Sequence, residues 1–317
     1  MLGVVIPAYK RRDCLREALE SLCNQTFKRF MVIVVDDHSP EPLQDVVDEF
    51  NSRLHIMYKY ADENGGPGVA RQIGLEICYK NNFDLVMFMD SDDVMTPQAI
   101  SRLTYEINHN NADVVSSAIW AEDKFGTGSK IAATNKTWMH GKIYRTNYLK
   151  NNNIVFPPMR TNEDLAFNLI AIENAENKKI IDEVLYIFRH ENNSITRSED
   201  KPMSLFSFDY VTAIYSAAQY LLLKNKITEQ IIIDTINTYN HYQAGLAFGL
   251  TPSNEVKEQL RFLLSLPIIK QTLTTYHLFK KVSTIPKQCF THEKKIYYHP
   301  QSFHDWIREF TDESSNN

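Results

Sequence analysis

The first 115 residues alternate short apolar runs with stretches in which apolar residues recur at helical spacing. This β-α-β-α order predicts an α/β fold with a Rossmann-like, mostly parallel sheet and helices on both of its faces. In open sheets of this kind, ligands bind beyond the carboxyl ends of the strands. The predicted strands are 2–6, 30–37, 54–60 and 83–90, and the predicted helices are 11–25, 42–50, 66–81 and 96–108.

From about residue 113 the pattern becomes mixed, with strands near 113–120 and 180–188 and a helix near 163–175. A polar stretch near residue 200 then precedes a region without strand patterns. This change predicts an α/β domain over 1–200 and a helical accessory domain over 201–317. The helices predicted in the second domain are 203–225, 228–248 and 253–266. They are expected to pack on the first domain or on another subunit, which leaves a homo-oligomer open.

Composition and cysteine spacing restrict the class of protein. Of the 317 residues, 43% are apolar and 23% are charged, and the net charge is −5, which is typical of an ordinary globular protein without a general nucleic-acid-binding surface. No apolar run approaches the roughly 18 residues that a membrane-spanning helix needs. The N-terminal apolar run precedes its charges, the reverse of a signal peptide. Because the four cysteines form no C-x-x-C pair, they are expected to be reduced thiols in a cytoplasmic protein.

Acidic residues gather where predicted strands end. The run Leu85–Met89 leads directly into Asp90, Ser91, Asp92 and Asp93. Two unit charges about 4 Å apart repel by about 4 kcal/mol at the effective dielectric of a protein surface, so this cluster is costly unless a positive group joins it. A solvated turn, with Asp93 or Thr96 capping the next helix, is the structural alternative. Two other predicted strands end beside residues of interest: Pro7 and Tyr9 at the first, Asp36 and Asp37 at the second.

The type of acid cluster and a glycine-rich segment together suggest a ligand. Several carboxylates on one edge favour a hard cation such as Mg²⁺ or Mn²⁺, which proteins commonly share with substrate phosphates. Gly65, Gly66 and Gly68 open the predicted helix 66–81, whose free N–H groups suit an anion, and Arg71 lies one turn inside. The segment fails as a dinucleotide fingerprint, because its glycine spacing is wrong and it follows the third strand. The expected ligand is therefore a metal-bound phosphate compound.

Several segments resemble, in order and spacing, the nucleotide-binding half of glycosyltransferase family 2. They are VVIPAYKRRDCLREALESLCNQTF, VIVVDDHSP, NGGPGVARQIGL and LVMFMDSDD, which begin at residues 4, 32, 64 and 85. Three later segments resemble motifs of the bacterial polysaccharide branch: WMHGKIYRTNYL, RTNEDLAFNLIAI and YIFRHENNSITRS, which begin at 138, 160 and 186. The resemblance covers about residues 2–198 and implies the GT-A fold. The departures, Lys10 for Asn, His38 for Gly and Gln72 for Asn, remove no carboxylate.

The resemblance implies an inverting enzyme that uses a nucleoside-diphosphate sugar, expected to be a UDP-sugar, together with Mn²⁺ or Mg²⁺. Asp36 or Asp37 would accept a hydrogen bond from the base, with a capped turn as the structural alternative. Arg71 would meet the base or the diphosphate, with a surface salt bridge as the alternative. The remaining donor-site residues implied are Pro7, Ala8 and Tyr9 around base and ribose, with Gly66 and Ser91.

The same resemblance assigns the metal. Asp90 would face the ribose or a metal-bound water, and Asp92 would bind the metal directly. Two roles stay open for Asp93: a second contact with the metal, or the cap of the next helix. His190 would reach the metal or the diphosphate from the segment that closes the site.

On the acceptor side, the resemblance implies that Asp164 is the base that deprotonates the acceptor hydroxyl, while Glu163 binds the acceptor or orients Asp164. The structural alternative is that both acids complement the dipole at a helix start, an effect of about 1 kcal/mol at most. Two interpretations stay open for Lys142 and Arg145: contact with phosphate, or a solvated position.

Two acceptor classes stay open: a surface glycan, free or lipid-linked, and a modified base in DNA. Residues 268–300 hold six lysines and one glutamate, a net charge of about +5. A solvated face is the default interpretation of this patch. The patch also suits a polyanionic acceptor or peripheral contact with anionic lipid at the inner face of the membrane, and it permits DNA without requiring it.

A sugar nucleotidyltransferase, or an inactive nucleotide-sugar-binding protein, is the alternative function. The loop AYKRRDCL, residues 8–15, contains no glycine, which disfavours the first. The presence of Asp92 and Asp164 disfavours the second.

Overall fold

The computed structural model describes residues 1–159, 161–190, 207–247 and 249–269. The chain divides into two compact units, Met1–Asn192 and Asn193–Asn317. The domain boundary predicted near residue 200 and the basic segment from residue 270 onward lie outside the described residues.

Six of the nine strands described in the first unit lie close to predicted positions, and three short strands, 94–95, 128–131 and 142–145, were not predicted. The nine are β1 Leu2–Ala8, β2 Phe30–Asp36, β3 Ile56–Tyr60, β4 Leu85–Phe88, β5 Val94–Met95, β6 Val114–Glu122, β7 Gly128–Ile131, β8 Lys142–Arg145 and β9 Lys178–Phe188. Among the described residues they form one nine-stranded sheet in the order β3-β2-β1-β4-β8-β6-β9-β5, with β7 paired to β6.

The described helices also follow the sequence predictions to within a few residues, except the short helix 146–151, which was not predicted. In the first unit they are α1 Arg12–Cys23, α2 Gln44–Asp48, α3 Pro67–Lys80, α4 Ala99–His109, α5 Thr146–Asn151 and α6 Glu163–Asn174; in the second they are α7 Ser207–Leu223, α8 Glu229–Ala247 and α9 Asn254–Ser265. None of these described helices is long and apolar enough to cross a membrane.

Strand direction brings several chain segments to one edge of the sheet. Strands β1 to β4 pair in parallel, as predicted, whereas β8 runs antiparallel to both β4 and β6. Strand β6 therefore points the same way as β4, and β9 is parallel to β6. The carboxyl ends of β1, β2, β4 and β9 and the beginning of β8 thus meet at one edge, which we call the site edge.

The first unit folds around a core of apolar strands and helix faces. Every residue of β1 is buried, and α1 covers the sheet with Leu15, Leu19 and Leu22, which recur at helical spacing. On the other side, Gly74 of α3 lies against Val5 of β1, with no room for a side chain. Close packing of α3 on the sheet holds the beginning of that helix at the site edge.

One predicted alternative for the acidic turn is wrong. Helix α4 begins at Ala99 after Gln98, and no described side chain caps it, so neither Asp93 nor Thr96 serves as its cap. The short strand β5 intervenes and pairs with β9. This pairing turns the acidic segment inward toward β9 instead of letting it lead directly into the helix.

The described helices of the second unit pack by ordinary side-chain contacts. Tyr210 of α7 stacks on His241 of α8, with ring centroids 3.8 Å apart. Helix α9 is capped by the hydroxyl of Ser253, which accepts a hydrogen bond of 3.2 Å from the N–H of Val256. The accessory role of this unit stays a prediction.

Candidate active site

Asp36, at the end of β2, organises the loop that follows it. Its carboxylate is fully buried and accepts hydrogen bonds from the N–H of Ser39 at 2.8 Å, the N–H of Leu43 at 2.9 Å and the hydroxyl of Tyr58 at 2.6 Å. Both oxygens are therefore engaged within the chain. Its predicted contact with a base stays untested.

Asp37 joins the end of β2 to the start of α3. Its two oxygens accept hydrogen bonds from the N–H groups of Gly65 and Gly66, each at 2.9 Å. Burial raises the pKa of Asp37, and these two amide donors oppose that rise. Gly66 has a positive φ of 86°, a conformation that favours glycine. This arrangement holds the glycine-rich segment at the site edge, where the sequence places it.

The end of β1 presents an aromatic ring beside these loops. Pro7 and Ala8 are buried, whereas Tyr9 is 40% exposed. The ammonium of Lys10 lies 4.9 Å from the centre of the Tyr9 ring. The exposed ring is therefore the part of the predicted Pro7–Ala8–Tyr9 set that can meet a ligand.

Arg71 lies inside the protein, between two acids. It is 4% exposed, and its guanidinium donates to Oδ1 of Asp90 at 2.7 Å and to Oε1 of Glu163 at 2.5 Å. The structure therefore brings together one acid from the end of β4 and one from the start of α6.

The second oxygen of Asp90 faces His140, which lies just before β8. The Nε2 atom of His140 is 3.1 Å from Oδ2 of Asp90 and 3.8 Å from Oδ2 of Asp93. Burial alone would raise the pKa of Asp90, but the nearby charges of Arg71 and His140 hold it well below its usual range. Burial alone would lower the pKa of His140, and the carboxylates of Asp90 and Asp93 raise it above its usual value. Asp90 is accordingly a carboxylate held between the guanidinium of Arg71 and the imidazole of His140.

Asp93 belongs to the protein interior, unlike its neighbours in the turn. It has no exposed surface and accepts hydrogen bonds from the hydroxyl of Tyr186 at 2.6 Å and the N–H of Arg189 at 2.9 Å. Burial raises the pKa of Asp93 to about 8. Ser91 is also buried. Asp92, by contrast, retains 17% side-chain exposure and forms an ion pair with Arg11.

The acids of the NEDLAF segment open α6, as predicted. Glu163 is buried, and burial raises its pKa to about 7 although the Arg71 charge opposes the rise. Asp164 is only partly buried, and its Oδ1 accepts from the N–H of Leu165 at 2.9 Å. The Asp164 charge acts on the pKa values of both Arg71 and His140. Asp164 is thus a partly accessible carboxylate beside the buried bridge.

Lys142 and Arg145 were predicted either to contact phosphate or to be solvated, but both side chains bind backbone carbonyls. Lys142 is 1% exposed and donates to the carbonyl of Trp138, while burial lowers its pKa to about 7. Arg145 donates to the carbonyls of Ala112 and Ile107 at 2.8 and 3.0 Å. Both lie on β8, whose central position in the sheet was not evident from its short sequence.

His190 follows β9 at the site edge and is partly exposed. The pKa of Asp123 is lowered mainly by the hydrogen bond from Thr127, and His190 makes a minor contribution to this lowering. Residues 191–206 lie outside the described residues, so the predicted contact of His190 with metal or diphosphate stays a prediction.

His140 and Tyr186 are site residues that sequence reasoning missed. Both lie in segments that carry the family resemblance, at the W-M-H-G-K and Y-I-F-R-H positions. Neither has an acidic neighbour in sequence that would signal a shared site. His140 meets Asp90 across 50 residues of chain, and only the antiparallel direction of β8 brings them together.

Comparison with known proteins identifies the family. Residues 3–160 match the family model described as Glycosyl transferase family 2. The chain belongs to this family, and its fold is the GT-A fold that the resemblance implied.

The chain is also similar to individual glycosyltransferases. Poly(ribitol-phosphate) beta-N-acetylglucosaminyltransferase TarS of Staphylococcus aureus is 25% identical over 288 residues, which are 83% of this chain and 48% of TarS. This chain thus spans about half the length of that relative. The crystal structure of S. aureus TarS 1–349 with UDP-GlcNAc has a TM-score of 0.62 at 23% identity, over 83% of this chain and 79% of that one. A mannosyltransferase of Pyrobaculum calidifontis, in complex with GDP-Man and Mn²⁺, has a TM-score of 0.52 at 13% identity, over 89% and 85% of the two chains.

Proposed function

We propose that this protein transfers a sugar from a UDP-sugar to an acceptor hydroxyl, with inversion at the anomeric carbon. The observation that carries the proposal is the bridge from Asp90 through Arg71 to Glu163, at 2.7 and 2.5 Å, with Asp164 adjacent. This bridge brings the acid predicted for the donor beside the acid pair predicted for the acceptor. Family membership and the likeness to TarS, solved with UDP-GlcNAc, support the reaction and the nucleotide.

In the proposed reaction, Asp164 accepts the proton of the acceptor hydroxyl. The hydroxyl oxygen attacks the anomeric carbon on the face opposite the diphosphate, and the bond between that carbon and the diphosphate oxygen breaks. The electron pair leaves with the nucleoside diphosphate. A single displacement of this kind inverts the configuration and leaves no sugar attached to the protein. Partial exposure of Asp164 is consistent with its reaching an acceptor.

The donor groups at the site edge fit a divalent cation. Asp90, Asp93 and His140 each offer a ligand atom, and these atoms lie within 4.8 Å of one another. The carboxylate oxygens suit Mn²⁺ or Mg²⁺, whereas the imidazole nitrogen is more typical of a transition metal than of Mg²⁺. When bound, such an ion would stabilise the charge that develops on the departing diphosphate.

Accessibility favours Asp92 over Asp93 as the partner of Asp90. Asp93 has no exposed surface, whereas Asp92 and Asp90 keep 17% and 25% side-chain exposure. We therefore propose Asp90 and Asp92 as the protein ligands, with His190 reaching the site from the end of β9. Asp93 and His140 hold Asp90 from the buried side.

The proposed acceptor is a hydroxyl of a bacterial cell-surface glycan. The name of TarS specifies poly(ribitol-phosphate) as what that relative acts on, and polysaccharide-type motifs run through the second half of the present catalytic unit. The acceptor would reach the reaction from the side of α6, where Asp164 is partly exposed. Contact with the inner face of the membrane depends on the segment from residue 270 onward, and stays a prediction.

Release of nucleoside diphosphate from a panel of UDP- and GDP-sugars, with Mn²⁺ or with chelator, tests the class of reaction. We expect one UDP-sugar to be hydrolysed slowly without acceptor, and the chelator to abolish this release. Asp164→Asn should bind UDP in calorimetry as the wild type does, while transfer to an acceptor falls by about 100-fold or more, as expected for loss of a general base. Asp45→Asn, an exposed acid paired with Arg12, is the matched control. Absence of both release and metal-dependent UDP binding would refute the proposal.

A further inference from the structure

We infer that Arg71 is a positioning residue, which fixes the acceptor-side acids relative to Asp90 and makes no contact with the donor. The inference rests on the proposed function, because it assigns Arg71 a part in that reaction. It departs from the role predicted from sequence, in which Arg71 meets the base or the diphosphate.

Burial and geometry exclude Arg71 from the surface where a donor would lie. The side chain is 5% exposed, so little of it can face a ligand. Its two terminal nitrogens bind different carboxylates: Nη2 donates to Asp90 and Nη1 to Glu163. These acids are 73 residues apart in the chain, at the end of β4 and the start of α6. One planar group thus sets the distance between two structural elements.

The contacts on either side of Arg71 make the link continuous. Asp90 is held on its other oxygen by His140 at 3.1 Å. Glu163 lies against Gly68, where an added Cβ would approach Cγ of Glu163 to 2.6 Å. Since Asp164 directly follows Glu163 at the helix start, a displacement of Glu163 would also displace the proposed base.

The chemistry of the side chain accounts for arginine at this position. A guanidinium presents several N–H donors in a rigid plane and can bind two carboxylates at once, whereas an ammonium acts as a point charge on a flexible stem. The positive charge also offsets the mutual repulsion of Asp90, Glu163 and Asp164, all of which act on the pKa of Arg71. Removing the guanidinium would leave the buried carboxylate of Glu163 and the partly exposed carboxylate of Asp90 without their shared partner.

A positioning role predicts a specific kinetic pattern. Loss of a group that binds donor equally in the ground and transition states raises KM, whereas loss of an arrangement needed only for reaction lowers kcat. Arg71 variants should therefore show lower kcat with donor affinity almost unchanged.

The test uses the full chain with Arg71→Lys, Arg71→Met and Glu163→Gln. Calorimetry with UDP and Mn²⁺ measures donor-side affinity, transfer kinetics give kcat and KM, and circular dichroism reports folding. We expect Kd within about threefold of wild type in each variant, kcat about 10-fold lower in Arg71→Lys and about 100-fold lower in Arg71→Met. Arg71→Lys keeps the charge and Glu163→Gln keeps the size, so each can be assessed even if Arg71→Met does not fold.

Arg102→Met is the matched control, because Arg102 also bridges two acids, Glu106 and Glu183, but at a half-exposed position on α4. Its kinetics should equal those of wild type. A rise in UDP Kd of about 10-fold or more in the Arg71 variants, with kcat unchanged, would overturn the inference. A wild-type protein that neither binds UDP nor turns over any donor would instead refute the proposed function.

Discussion

The hydroxyl of Tyr186 donates a 2.6 Å hydrogen bond to the carboxylate of Asp93, and neither side chain has exposed surface. The same hydroxyl lies 3.1 Å from the backbone nitrogen of Asp90 and accepts its N–H. One side chain of β9 therefore fixes both the first and the last acid of the D-S-D-D turn. The turn is therefore anchored in the protein interior, with Asp93 buried and with Asp90 and Asp92 partly exposed.

Tyr186→Phe should therefore destabilise the protein more than an ordinary loss of a hydroxyl. The change leaves a buried carboxylate oxygen and a buried N–H without their partner, and each such group costs about 1–3 kcal/mol. We expect a decrease of about 3 kcal/mol in the free energy of unfolding, measured by urea denaturation. Tyr105→Phe on the exposed face of α4 should change it by less than about 0.5 kcal/mol. Equal effects of the two substitutions would contradict the role given to Tyr186.

Metal affinity should separate the accessible acid from the buried one. Asp92→Asn is expected to weaken Mn²⁺ binding in the presence of UDP by about 10-fold or more, because it removes a direct ligand. Asp93→Asn should lower the free energy of unfolding and should weaken Mn²⁺ binding less than Asp92→Asn does, because it removes no direct ligand of the proposed site. Calorimetric titration of Mn²⁺ into the UDP-saturated protein measures both. The reverse ranking would assign the metal to the Asp90–Asp93–His140 cluster.

Asp36 should contribute strongly to stability, whatever its part in nucleotide binding. Its carboxylate accepts three hydrogen bonds within the chain. The NH₂ group of an asparagine would face one of these three hydrogen-bond donors and could not accept from it. Asp36→Asn should lower the free energy of unfolding by about 2–3 kcal/mol. Tyr58→Phe removes a single one of the three donors and should cost about 1 kcal/mol. Unchanged stability in Asp36→Asn would show that the loop does not depend on this carboxylate.

Gly68→Ala should impair activity through the position of Glu163. The added Cβ would meet Cγ of Glu163 at 2.6 Å and Cβ at 3.1 Å, so α3 or the start of α6 must shift. Such a shift separates Glu163 from Arg71, and a misplacement of about 1 Å can lower a reaction rate by about 100-fold. We expect reduced kcat in a transfer assay. Gly126→Ala, at a positive φ but with open space around the Cβ position, should leave kcat unchanged, and a similar loss there would point to a nonspecific effect.

The helical unit should lose stability as the pH falls from 6.5 toward 4. Burial lowers the pKa of His241 to about 4, whereas an unfolded histidine has a pKa near 6.5. Between these values the unfolded chain binds more protons, so protonation favours unfolding. Since the ring is only partly buried, we expect a loss of about 2 kcal/mol, smaller than the full shift of the pKa would give.

Urea denaturation from pH 7.5 to 4 measures this effect as the difference between wild type and His241→Phe. The phenylalanine keeps a ring to stack on Tyr210 and removes the titration, so contributions from other groups cancel. The difference should change across the stated range. A difference that is constant with pH would show that His241 does not titrate as described.

Much of the first unit could be predicted because its signals are local. Strands β1, β2 and β4 are continuous apolar runs, and α1 buries leucines at helical spacing. Since parallel strands align their carboxyl ends, Asp36, Asp37 and Asp90 could be placed at one edge before any coordinates. The side-chain contacts at that edge could not be predicted from the sequence. Arg71 was predicted to lie one turn into a helix and to meet the donor, and nothing in its sequence neighbourhood signals that it lies between Asp90 and Glu163.

By itself, therefore, the sequence determined the order of the longer strands and helices, the family, and the acids at the ends of the strands, since each depends on patterns within a short stretch of chain. The short elements β5, β7, β8 and α5 were not predicted. Tertiary structure alone decided which acids face inward and which partners hold them. Asp93 points inward because β5 pairs with β9, and His140 reaches Asp90 because β8 runs antiparallel to β4. Strand direction and long-range pairing arise from packing of the whole unit, so no single segment carries the information that joins Glu163 to Arg71 across 92 residues.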